Sequence, residues 1–166
     1  MNLSDAERDR LNVLLAEYRR SPEVQRMRRY IQHGRVTTYD HCENVARVSF
    51  WLNRRLKLGS NEADLAVGAF LHDFYLYDWH KGRSIRSLRD LSRSHGFMHP
   101  LYARRNAQRF FRITAREKNI IESHMWPLTF RHVPTCREAV IVCLADKYCA
   151  CAETLLCRHK SVGICV

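Results

Sequence analysis

The chain has no apolar run longer than about seven residues, Ala139 to Ala145, where a membrane span needs ~20. It holds only 6 glycines and 4 prolines in 166 residues and no low-complexity tract, which excludes a fibrous or disordered chain. No segment alternates polar and apolar residues long enough to predict a sheet. None of the 7 cysteines forms a Cys-x-x-Cys pair, and Cys143, Cys149, Cys151 and Cys157 fall in one helical stretch. Buried, reduced thiols are expected there, rather than disulfides or a Cys-ligated zinc. The first residues carry acids where a secretion signal has a basic flank, and Cys165 stands next to last rather than fourth from the end. A cytoplasmic protein without lipid anchor or membrane span is expected.

What is abundant is positive charge and helix signal. With 28 Lys+Arg against 17 Asp+Glu the net charge is +11, a field that draws anionic ligands. A hydrophobic fraction of 46% at this length suits one domain over residues 1–166. Ser4-Asp5-Ala6-Glu7 predicts a capped helix with Leu11, Leu14, Leu15 and Tyr18 on one face. Ser21-Pro22 opens a second helix, expected to reach residue 33 and stop at Gly34. Further helices are expected from Thr37 or Thr38 to Lys57, from Asn61 to near Tyr77, from His99 to Phe111, from Thr114 to Met125 and from Thr135 to His159. The stretch from His80 to Gly96 reads as a loop or short helical turns. The fold class is an all-α, single-domain helical bundle.

Several polar residues sit where apolar ones belong. His41 shares a stripe with Val45, Val48 and Leu52, and His72-Asp73 closes the apolar run from Ala66 to Leu71. His124 follows Ile113, Ile120 and Ile121 on one face. Asp146 interrupts the run from Ala139 to Ala145. An isolated carboxylate in such surroundings costs several kcal/mol unless it is neutralised, paired or bound to a cation. Histidines are plentiful on these stripes and Lys and Arg are sparse. Imidazole nitrogen with carboxylate oxygen suits zinc, iron, manganese or nickel rather than calcium.

The ordered pattern resembles that of the HD-domain metal-dependent phosphohydrolase superfamily. It reads YDHCENVARVS around His41, AFLHDFYLYDW around His72 and Asp73, and CLADKYCA around Asp146. His99 in HGFMHPLYARRNA and His124 in IIESHMWPLT look like the extra ligands of the branch that holds two metals, with His95 a rival to His99. The resemblance covers about residues 37–155, with residues 1–34 as N-terminal helices. It implies one or two divalent ions, iron, manganese, zinc, nickel or magnesium. His41, His72, Asp73 and Asp146 would hold one, and His99 and His124 the other, with Asp73 as the catalytic bridging ligand beside a metal-bound water. Met125-Trp126-Pro127 replaces the Gly-Tyr-Pro signature of the cyclic-di-nucleotide phosphodiesterases, and Phe74-Tyr75-Leu76 follows the doublet without the Ile-Gly and Lys that often stand there.

The implied activity is hydrolysis of an anionic small-molecule phosphate ester, with nucleotides among the candidates. A di-iron oxygenase of the same fold is the first alternative. A non-catalytic, metal-containing module that binds a nucleotide or nucleic acid is the second. Lys81, Arg83, Arg104 and Lys147 are candidate substrate contacts. The run Arg19-Arg20, Arg26, Arg28-Arg29 and Arg35 is a candidate nucleic-acid patch, but no base-reading motif accompanies it. His33, His80, His132 and His159 read as surface residues.

Overall fold

The computed structural model describes residues 2–81 and 94–159. Seven α-helices lie among them: α1 Asp5–Arg20, α2 Pro22–Gln25, α3 Thr38–Arg55, α4 Glu62–Leu71, α5 His95–Phe110, α6 Ala115–Ser123 and α7 Arg137–His159. The fold is all-α, with one small antiparallel hairpin, β1 Ile31–His33 and β2 Val36–Thr37.

The helix starts follow from local chemistry. The Ser4 and Glu7 capping box opens α1, Thr37 caps α3 through the Asp40 amide, Asn61 caps α4, and the Thr114 and Glu117 box opens α6. At the centre is α4, in which every residue from Asp64 to Leu71 is buried. It packs on α3, α6 and α1, while α7 closes the bundle against α3 and α6. Leu15, Met27, Phe50, Leu65, Phe70, Leu71, Phe74, Ile120 and Ile121 fill the core. On α7 the inner face carries Ala139, Val142, Cys149 and Asp146, while Val140, Leu144 and Tyr148 are exposed. Cys42, Cys136, Cys143, Cys149 and Cys151 are free thiols.

Three expectations need correction. The second helix does not reach residue 33: α2 ends at Gln25, a 3-10 turn covers Arg26–Arg29, and the hairpin follows. Gly34 at φ 57 sits in its two-residue turn, a left-handed conformation open to glycine. The helix through the His-Asp doublet stops at Leu71, short of Tyr77, because Phe74 and Tyr75 turn back to the Leu71 and Asp73 carbonyls and both bury their rings. Finally, α5 starts at His95, one turn before His99, so Pro100 lies inside the helix instead of opening it. Of the segment expected to be irregular, the described part holds a short 3-10 turn, Trp79–Lys81. Arg83 and the side chain of Lys81 lie outside the described residues.

Candidate metal centre

Five helical segments deliver six side chains to one buried point. His41 comes from the first turns of α3, and His72 and Asp73 from the turn that ends α4. His99 comes from α5, His124 caps the C-terminus of α6, and Asp146 lies on the inner face of α7. His41 and His72 are fully buried, and Asp73, His99 and His124 nearly so. Asp146 is the most open of the set, with its side chain 11% exposed.

Asp73 is shared between two groups. Its Oδ2 lies 3.4 Å from His72 Nε2 and 3.9 Å from His41 Nε2. Its Oδ1 lies 3.2 Å from His99 Nε2 and 3.5 Å from His124 Nε2. Asp146 Oδ1 joins the first group, 3.1 Å from His41 Nε2 and 3.6 Å from His72 Nε2. Both triads, His41-His72-Asp73 and Asp73-His99-His124, are compact enough to hold a metal ion.

The far nitrogens decide which atoms face inward. His72 Nδ1 donates to the Ala69 carbonyl at 2.7 Å, His99 Nδ1 to that of His95 at 2.8 Å, and His124 Nδ1 to that of Ile121 at 2.8 Å. In the neutral ring of that tautomer, Nε2 is the atom that presents a lone pair to the interior. His99 Nε2 and His124 Nε2 are only 2.8 Å apart, a separation two lone pairs tolerate with a proton or cation between them. His72 Nε2 and Asp73 Oδ1 are buried without a hydrogen-bond partner among the described residues. A nest of acceptors facing acceptors, with nitrogen and carboxylate oxygen mixed, fits a divalent cation.

Charge tells the same story. Burial lowers the His41 pKa, but hydrogen bonds to Asp146 and Glu153 outweigh it and lift the imidazole to about 9. His72 is likewise driven above its ordinary value, because the Asp73 charge overcomes its burial. Burial raises the Asp73 pKa, but the surrounding imidazoles hold it well below the usual carboxylate range, and His41 and His72 do the same for Asp146. His124, by contrast, is pushed down to about 3 by burial. Without a cation, protons on His41 and His72 balance the carboxylates.

The remaining candidates are placed elsewhere. His95 stacks on His99, with ring centroids 4.5 Å apart, and its Nδ1 meets the Tyr77 hydroxyl at 2.9 Å, so it lines the centre without joining a triad. Arg104 is paired with Glu122 at 2.6 Å. Lys147 Nζ contacts the His124 and Cys143 carbonyls and Cys143 Sγ, so it ties α7 to the end of α6. Arg104 is thus held by a carboxylate and Lys147 by neutral groups alone. In the arginine run, Arg19 is paired with Glu43, and Arg28 with Asp40 while lying over the Tyr39 ring.

Three further residues border the centre, two of which, Gln32 and Glu153, carry no signal in the motif pattern. Gln32, on the unexpected hairpin, donates from Nε2 to Asp73 Oδ2 at 2.7 Å, and its Oε1 accepts from the Tyr75 hydroxyl. His33, read as a surface residue, sits half-buried and edge-on to His41 at 5.3 Å between ring centroids. Glu153 holds His41 Nδ1 at 2.8 Å. Its spacing of two helical turns from Asp146 was the one available signal.

No curated protein and no solved structure matches the chain. A family model for the HD domain matches residues 38–151, which run from the start of α3 into the last turns of α7 and take in all six converging side chains. By that match, over more than half its length, the chain belongs to the HD-domain family.

Proposed function

We propose that this protein is a metal-dependent phosphohydrolase holding two divalent cations. His41, His72, Asp73 and Asp146 would hold one, Asp73, His99 and His124 would hold the other, and Asp73 would be shared between them. The observation that carries this reading is the division of one buried carboxylate, with Oδ2 on the His41 and His72 side and Oδ1 on the His99 and His124 side. When bound, such cations lower the pKa of a coordinated water toward neutrality and offset charge on a phosphoryl group.

The rest of the work falls to the chain. Backbone carbonyls of Ala69, His95 and Ile121 fix three rings in the tautomer that offers Nε2. The Gln32 amide donates to Asp73 Oδ2 and so supports the pose in which the two carboxylate oxygens face opposite groups. Burial of His41, His72 and His124 excludes bulk water and strengthens every charge interaction inside the centre. The greater exposure of Asp146 supports an approach for substrate from its side. A net charge of +11 favours anionic substrates, and nucleotides are the class to test first.

The test is elemental analysis of protein purified without chelator or tag metal, followed by phosphate release from a panel of mono- and diesters that includes nucleotides. The expected result is bound divalent metal and phosphate release that a chelator abolishes and one added cation restores. Metal-loaded protein that hydrolyses none of the panel overturns the hydrolase reading, and iron content with oxygen uptake replaces it by oxygen activation.

A further inference from the structure

His41 is held differently from the other imidazoles of the centre. Where His72, His99 and His124 rest Nδ1 on neutral backbone carbonyls, His41 Nδ1 meets the carboxylate of Glu153 at 2.8 Å. Glu153 is 8% exposed and itself anchored, since Asn44, one turn along α3 from His41, donates to its Oε1 at 2.8 Å. Asp146 and Glu153 stand two turns apart on the same face of α7, so one helix grips both nitrogens of a single ring.

A carboxylate behind an imidazole makes it a stronger electron donor than a carbonyl does, and such supporting groups are worth about 10–100-fold in metal affinity. The two halves of the centre are therefore unequal. The half with His41 and His72 faces Asp73 and Asp146 and backs on Glu153, whereas the half with His99 and His124 has only its share of Asp73. We propose that Glu153 is a positioning residue that acts through His41 and makes the His41, His72, Asp73 and Asp146 half the tighter cation site. The inference rests on the metal centre proposed above and does not depend on the reaction being hydrolysis.

The experiment is titration of the metal-free full chain with manganese(II), followed by calorimetry and by the paramagnetic resonance signal of free manganese. Wild type is expected to show two affinity classes. Glu153→Gln, which keeps the shape and an acceptor but removes the charge, should weaken the tighter class by about 10–100-fold. The weaker class, whose ligands do not touch Glu153, should stay within about twofold. Asn44→Ala, which leaves the carboxylate in place but frees Oε1, should weaken the same class by less, and it serves if the first variant fails to fold.

Equal weakening of both classes would mean a loosened bundle and overturn the inference, as would unchanged affinities. His33, His41 and Glu153 also cluster closely enough to hold an ion of their own. A third manganese equivalent lost in Glu153→Gln while the first two stay unchanged would assign Glu153 to that separate site and overturn the positioning role. Wild-type protein that binds no manganese would instead remove the metal centre itself.

Discussion

Asp73 and His124 differ in how many contacts depend on them, and that difference can be read by substitution. Asp73 oxygens approach four imidazoles, while His124 serves one side only. Asp73→Ala should therefore lose both cations, with affinity falling by at least about 100-fold and activity lost with it. His124→Ala should release one equivalent and keep the other. Metal counting on both purified variants checks this, and full metal content in Asp73→Ala would refute the bridge. Five of the six convergent residues are legible in the sequence as polar misfits on apolar stripes, as His41 is beside Val45 and Val48, whereas His99 enters only through the ordered family pattern. Gln32 and Glu153 are not legible, since a lone Gln in a short extended segment and a Glu on a long helix are ordinary surface choices. Only tertiary contact gives them a partner: Gln32 reaches 41 residues along the chain to Asp73, and Glu153 reaches 112 residues to His41.

At the level of elements, the spacing of α4 and α6 sets the spacing of His72 and His124, whose rings stand edge to face at 4.8 Å. Gly68 permits that approach. A Cβ there would sit 2.5 Å from Ile120 Cδ1 and 3.0 Å from its Cβ. Gly68→Ala gains about 1 kcal/mol of helix propensity but incurs an overpacking cost of about 1–3 kcal/mol. A net loss is expected, with the melting temperature falling by about 2–4 °C per kcal/mol at this chain size. Weaker metal binding should accompany it, because α6 carries His124 outward. The helices themselves were readable from caps and stripes. The hairpin was not, because strands of three and two residues are too short to show alternation, and such a hairpin is hardly stable outside the fold. The end of α4 is hidden for a related reason. Phe74 to Tyr77 continues the apolar run, and nothing local says that Phe74 and Tyr75 are buried from an irregular backbone.

Across the whole molecule, pH and metal act on one balance of charge. In the metal-free protein His41 titrates near 9 when folded and near the ordinary 6.5 when unfolded. Its contribution is present below pH 6.5 and is lost as pH rises through about 9. His124 works in the opposite direction. Its folded value of about 3 means that the unfolded chain takes up the proton first, so stability falls as pH drops from 6.5 toward 3. Asp73 and Asp146, held below the usual range, add to the acid loss. Metal-free protein should thus melt highest near pH 6.5 and lower at both pH 9 and pH 4, as scanning calorimetry can check. Cation at about 100 times its dissociation constant adds about 2.7 kcal/mol, or roughly 5–10 °C at this size, and a chelator should reverse it.

The wide separation of the converging residues along the chain has a kinetic side. His41 and Asp146 lie 105 residues apart, so a fragment that lacks either α3 or α7 cannot assemble the pocket. Distant pairings of this kind form slowly. An ion seated there acts as a reversible cross-link between the first third of the chain and its last helix, so uptake reports the final closure of the bundle rather than any earlier collapse.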